Sequence, residues 1–432
     1  MARCKVRVPI LILSALFLFL IGQAEVAAQE KITWWHWNSS QYMQQLTPLI
    51  QEFEERWSCQ VVALEMPWVE IRNRLERAAL TQDLDSLPDV ISISSQWFSQ
   101  VAPLGILLDL TDYWKGEGEP YRDVFPGAFE LWQDIDGALL AYPFDLDIQA
   151  LLYNQELFEA AGVALPTEDW MWDDLLEAAV KLTVPAPGSS QPSQYGFTNW
   201  YFNWATLVWA NGGSLVGTNG ALLLSQPQTK GALEFYRQFW SGPVKVVADE
   251  EAALAANLRY PPQLWQRGQV AMMPAGSWAP KMWTWNSKEE EYLFDFGVAH
   301  FPASPIGRRA VEASGQGVAI IAGSKNVSLS LRFLEFLLEE DVQRLIASVF
   351  NQFPVRYSVA FSPAFLESSD GVNKQIFAEA AQYARPMPRT RNWHELWPIV
   401  QRHVSRYLRG QVEYEPMLEN LAREVQVLEQ KR

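Results

Sequence analysis

The chain is poor in the residues that usually carry chemistry. Its 432 residues include only 2 cysteines and 4 histidines. Cys4 would leave with a cleavable N-terminal segment, so Cys59 then has no intrachain partner, and a disulfide scaffold is excluded. His36, His300, His394 and His403 are scattered without an HExxH pattern or a cysteine pair, so no metal site is expected. No GxxxxGK[ST] loop and no GxSxG elbow occur, which removes a P-loop nucleotide site and a hydrolase serine. Gly315-Gln316-Gly317 opens like a dinucleotide loop, but Ile320 stands where the last glycine belongs, so the segment reads as a turn and no cofactor is expected. Basic residues are also scarce, 34 against 50 acidic, for a net charge of −16. With no basic block, nucleic acid is excluded as a partner.

Long apolar runs are missing everywhere except at the start. Ile10 to Ile21 is almost unbroken, shorter than the roughly 18 residues that span a bilayer, and it follows Arg3, Lys5 and Arg7 and precedes Val26-Ala27-Ala28. Residues 1–28 therefore read as a cleavable secretory signal, and the rest as a protein of the periplasm or another extracytoplasmic space. No cysteine lies between Gly22 and Gln29, so a lipid anchor is not expected.

What remains is ordinary globular composition, 49% hydrophobic and 19% charged, with 20 tryptophans as the anomaly. A chain of this length splits its core, so two lobes are expected. Lys31 to Trp35, Cys59 to Met66 and Asp89 to Ser94 read as strands, alternating with helical patterns at Gln44 to Arg56 and Ile71 to Thr81. That order predicts an α/β domain with a mainly parallel sheet, whose ligands bind beyond the strand carboxyl ends, at Trp35–Ser40 and Ser94–Phe98. A second set follows: a strand at Ala150 to Tyr153, helices at Asn154 to Ala161 and Trp172 to Leu182, strands at Val298 to Phe301 and Gly317 to Ile321, then helices at Leu329 to Leu338, Gly371 to Tyr383, Trp393 to Leu408 and Glu415 to Lys431.

Two features stand out as chemistry. Asp145 and Asp147 form a close carboxylate pair; as a glycosidase pair they would have to flank one bond, which near neighbours in sequence seldom do, so one of the two is expected to bind ligand hydroxyls and the other to cap or turn, with which is which left open. Trp200-Tyr201-Phe202-Asn203-Trp204 holds four aromatics in five residues with neither strand alternation nor a helix cap, which leaves cleft lining and core both open. Trp34, Trp114, Trp172, Trp209 and Trp240 sit in patterns that read as structural.

Several strings, in order, resemble one family: Ile32-Thr33-Trp34-Trp35-His36, Leu87-Pro88-Asp89-Val90-Ile91, Tyr142-Pro143-Phe144-Asp145, Gly276-Ser277-Trp278, Arg385-Pro386 and above all Leu152-Tyr153-Asn154-Gln155-Glu156-Leu157-Phe158-Glu159-Ala160-Ala161-Gly162. The chain resembles the extracellular solute-binding proteins of ABC importers, family 1, the sugar-binding type. The resemblance implies the two-lobe periplasmic-binding-protein fold (type II), with a hinge between lobes and ligand in the cleft. It implies an N-terminal lobe of residues 29–143 plus about 302–348 and a C-terminal lobe of 144–301 plus about 349–432. Its first-strand loop falls on His36, Trp37 and Asn38, its third-strand loop on Gln96 and Trp97, and its acidic position on Asp145 or Asp147. The second-lobe wall falls on Trp200, Tyr201, Asn203 and Trp204, the Gly-x-Trp loop on Gly276 and Trp278, and the late turn on Gly315 and Gln316; Arg385 and Trp393 match a region of polar and stacking contacts. Many relatives carry a carboxylate in the first or third loop, where this chain has His36-Trp37-Asn38 and Ser95-Gln96.

The implied function is capture of a di- or oligosaccharide or glycoside, without catalysis, by a monomer that delivers it to a membrane permease served by a separate ATPase subunit. An indole covers the C–H face of a pyranose, about 100 Å² worth on the order of 2.5 kcal/mol, while Asp, Asn, Gln and Arg read its hydroxyls. The rival readings are a secreted carbohydrate-active enzyme and a receptor of the same fold for a glycerophosphodiester or polyamine.

Overall fold

The computed structural model describes residues 29–430 except 38–39, 115–120, 218–219, 243, 290, 351, 368–370, 389 and 391. The expected signal segment and Asn38 lie outside these. Among the described residues no helix is long and apolar enough to cross a membrane, and no group of three or more His, Cys, Asp or Glu could hold a metal.

Ten strands build two sheets: β1 Lys31–His36, β2 Gln60–Glu65, β3 Val90–Ser94, β4 Tyr142–Pro143, β5 Asp147–Asn154, β6 Met272–Gly276, β7 Phe296–Ala299, β8 Val311–Ser314, β9 Gln316–Ile320 and β10 Ala384–Arg385. The first sheet runs β2-β1-β3-β9-β4, and the second runs β7-β5-β8-β10 with β6 paired to β5. The expectation of a mainly parallel sheet holds within the first sheet for β1, β2 and β3 alone, and in the second only β8 and β10 pair parallel. β9 joins β3 antiparallel because it enters from the other lobe, and β5 meets β6, β7 and β8 antiparallel.

The chain changes sheet twice within a few residues of one spot, between β4 and β5 and again at Gly315 between β8 and β9. The second passage thus falls later than the expected position near residue 302. Beyond it, helices Val327–Leu337 and Glu340–Phe350 pack on the first lobe, and Phe353 packs on Phe125 with ring centres 5.7 Å apart, so this lobe extends past the expected 348.

Local chemistry sets the elements beside the cleft. Helix Ser95–Val101 starts where the Ser94 hydroxyl accepts from the Gln96 N–H at 3.3 Å, so residues 95–99 leave β3 directly at its carboxyl end. In the string that most resembles the family, the Asn154 side chain accepts from the Leu157 N–H at 3.1 Å and Gly162 ends the helix at φ +65°, a left-handed cap only glycine adopts freely. The first core is aromatic: Trp34 packs edge-on against Phe333 at 5.4 Å and satisfies its buried N–H on the Ser92 hydroxyl at 3.0 Å.

Candidate functional site

Where the two sheets meet, backbone crowding defines a hinge. A Cβ on Gly315 would lie 2.4 Å from the Asp145 carbonyl oxygen, so no other residue fits there without moving the crossing strands. The Asp145 carboxylate accepts from the Gln316 N–H at 2.8 Å, and the Gly315 carbonyl accepts from the Ser95 N–H at 3.1 Å. Asp145 is fully buried, and burial first, then the nearby Asp147 charge, lift its carboxyl to about 7 against the pull of the Gln316 N–H. Of the two roles left open for the carboxylate pair, Asp145 takes the turn.

Two residues on, Asp147 accepts from the Tyr201 hydroxyl at 2.5 Å. Its other oxygen faces the Trp278 indole nitrogen across Gly276, where an added Cβ would sit 2.0 Å from the carboxylate and 2.5 Å from that nitrogen. Burial raises the Asp147 pKa, while Tyr201, Trp278 and Ser314 oppose the rise. Tyr201 in turn is pushed well above its ordinary value by burial and by the Asp147 charge, so it stays a donor.

The aromatic segment is stapled to the second sheet at three points. Besides Tyr201 on Asp147, Gln149 donates to the Tyr201 carbonyl at 2.7 Å and Asn203 donates to Glu312 at 2.9 Å. Trp200, Tyr201, Phe202 and Asn203 therefore face the cleft, where they line a cavity of about 400 Å³. Ser95, Gln96, Phe98, Ser99 and Gln100 close it from the first lobe. Trp393 and Trp397, one helical turn apart on Trp393–Leu408, form a further wall and stack on each other at 5.1 Å and 17°.

Glu312 is the carboxylate that borders this cavity. Burial, with the Asp147 charge adding, lifts it to about 7 despite the Asn203 donor. No lysine or arginine is among the described residues that line the cavity.

Gln96, Trp200, Tyr201, Asn203 and Trp393 are thus brought together. Asp147, Gly276 and Trp278 form the layer beneath, with Trp278 edge-on to Tyr201 at 5.2 Å; the indole expected to face the ligand instead braces Tyr201, which lines the cavity. Gly315 and Gln316 belong to the hinge. His36 is buried at the end of β1 beside Trp34, Trp97 is buried between Trp37 and Trp68, and Trp204 turns inward to donate to Gln401 at 2.7 Å; none of these, nor Trp37, lines the cavity. Arg385 is exposed on β10 and also stands outside it. Sequence reasoning missed Glu312, Gln149, Ser314 and Trp397. Trp397 had a signal, its four-residue spacing from Trp393, and Glu312 another, a lone carboxylate in the otherwise small and apolar Val311–Ser314.

Two lobes, a pinned crossover and a cavity closed from both sides define a receptor that encloses a solute. The chain belongs to the bacterial extracellular solute-binding protein family, whose model matches residues 37–344. It is 26% identical over 328 residues to the diacetylchitobiose binding protein DasA of Streptomyces coelicolor, covering 73% of this chain and 71% of that one. It is 22% identical over 286 residues to the sn-glycerol-3-phosphate-binding periplasmic protein UgpB of Brucella abortus, 62% of this chain and 61% of that one. In structure it resembles an ABC substrate-binding protein of Listeria monocytogenes in complex with cycloalternan, with a TM-score of 0.76 at 20% identity over 92% of this chain and 98% of that one. The family and these neighbours are solute receptors and not enzymes, and the fold is the two-lobe type that the strings in the sequence suggested.

Proposed function

We propose that the chain captures an uncharged carbohydrate, an oligosaccharide or glycoside, in the interlobe cavity and hands it unaltered to a membrane permease powered by a separate ATPase subunit. The observation that carries this reading is the make-up of the cavity: the aromatic side chains of Trp200, Tyr201, Trp393 and Trp397 line it together with Gln96, Asn203 and Glu312, with a carboxylate and no lysine or arginine among the described lining residues. Flat apolar faces take the C–H side of a pyranose, and the amides and carboxylate take its hydroxyls. A phosphate would instead face Glu312, with Asp147 behind it. No lysine or arginine stands among the described lining residues to pair with it, which weighs against the glycerophosphodiester reading.

Closure follows from contacts that exist only when ligand touches both lobes, and the permease would read that shift in population. Intrinsic tryptophan fluorescence across a panel of disaccharides, longer oligosaccharides, glucosylglycerol and glycerophosphodiesters tests the proposal. A saturable change with a carbohydrate, the sugar recovered intact, is the expected result. Saturation by a phosphodiester alone, or hydrolysis of the bound glycoside, would overturn it.

A further inference from the structure

Two glutamines border the cavity from different elements, Gln149 on β5 and Gln401 on helix Trp393–Leu408. A glutamine amide both gives and takes hydrogen bonds, so by itself it does not dictate how a ligand must present its oxygens. Here the framework around each amide decides.

Gln401 stands one helical turn beyond Trp397, and its side-chain oxygen accepts from the Trp204 indole N–H at 2.7 Å. That indole is only 4% exposed and packs against Trp397 with ring centres 5.4 Å apart, so its place is set by packing. An indole nitrogen only donates. Turned the other way, the amide would set two donors against each other and strand a buried N–H, which disfavours that orientation on the order of tenfold or more. Trp204 does not line the cavity, so the end of the Gln401 amide left to meet a ligand is its NH2 group, and no described residue accepts from it. Gln149 is set in the opposite sense. Its NH2 group donates to the Tyr201 carbonyl at 2.7 Å, and a carbonyl only accepts, which leaves the Gln149 side-chain oxygen as the group on offer.

We infer that Gln401 and Gln149 determine specificity by fixing the sense of two hydrogen bonds to the captured carbohydrate: Gln401 donates to a ligand oxygen, Gln149 accepts from a ligand hydroxyl, and Trp204 positions the first. This rests on the proposed capture of a carbohydrate and adds what two of its positions must carry. The oxygen that meets Gln401 needs no hydrogen of its own, so a ring oxygen, a glycosidic oxygen or an acylamino carbonyl serves there. The group that meets Gln149 must be a free hydroxyl, because a deoxy or ether-capped position leaves a buried acceptor unpaired.

The test is calorimetric titration of the full-length mature protein with maltose, cellobiose, maltotriose and cellotriose, carried forward with the sugar that binds most tightly. Gln401→Glu keeps an oxygen for the Trp204 N–H and puts a second acceptor where the NH2 group was. That variant is expected to bind the sugar on the order of 10- to 100-fold more weakly than the wild type, and more weakly than Gln401→Met does. Tighter binding by Gln401→Glu than by Gln401→Met would show that the ligand is the donor there and overturn the inference. Trp204→Phe should weaken binding about fivefold in the wild type and no further in the Gln401→Met background; an equal loss in both would reduce the indole to packing and overturn its positioning role. For Gln149, one monodeoxy analogue that the wild type binds more weakly than the parent sugar should bind Gln149→Met as well as the parent does, and deoxy losses that all persist in that variant would overturn its part. Failure of the whole panel to bind would overturn carbohydrate capture along with this inference.

Discussion

Replacing Glu312 by Gln tests the electrostatics of the cavity directly. An ordinary glutamate titrates near 4.5, and in the fold this one is lifted to about 7, mostly by burial. The folded protein therefore holds this proton more tightly than the unfolded chain between those values. That stability is present in full below about 4.5 and is lost as pH rises through about 7, where a buried carboxylate must carry its charge. A gap of this size corresponds to at most about 3 kcal/mol, and because the carboxylate borders the cavity the realised figure is nearer 1–2 kcal/mol. Gln is uncharged at every pH and keeps an oxygen for the Asn203 donor, which reaches Glu312 at 2.9 Å. Thermal melts of the wild type and Glu312→Gln from pH 4.5 to pH 8.5 should therefore converge at the acid end and separate at the alkaline end, the variant being the more stable. A gap that is flat with pH, or a variant less stable at pH 8, would refute the reasoning.

Tyr201→Phe removes the donor to Asp147 and leaves that carboxylate buried without it; a loss of about 1–3 kcal/mol in urea unfolding is expected, and a neutral result would mean that the contact contributes nothing. Gly315→Ala would push a methyl against the Asp145 carbonyl oxygen, so a lowered melting temperature equivalent to about 1–3 kcal/mol is expected, and an unchanged melt would show that the crossover has room to yield. Trp397→Ala takes away the ring stacked behind Trp393; carbohydrate affinity should fall about tenfold or more by fluorescence titration, with far-ultraviolet circular dichroism unchanged, and full affinity would remove this wall from the site.

Much of the fold was legible because local rules wrote it. The strand expected from Lys31 to Trp35 runs to His36, and the helix expected from Trp393 to Leu408 has those bounds. Short-range hydrophobic periodicity and capping residues decide such elements. The parallel sheet was legible only in part, because the register of β9 depends on a chain that has first travelled through the other lobe. The site was legible in outline: the loop after β3 and the aromatic segment both reach the cavity. Which indoles face outward was not legible. Trp200 and Trp204 lie in the same short stretch, yet one lines the cavity and the other is buried, held by a hydrogen bond to Gln401, 197 residues further along the chain.

From sequence alone came the alternation of strands and helices, the scarcity of catalytic and metal-binding patterns, and a set of ordered strings similar to solute receptors. Tertiary structure decided what each candidate does: Asp145 pins the crossing strands, Trp278 supports Tyr201, and Glu312 meets Asn203 from 109 residues away to set the charge of the cavity. Secondary structure depends on neighbours within a few residues, whereas a side chain's access to a cleft depends on which distant strands cross beside it.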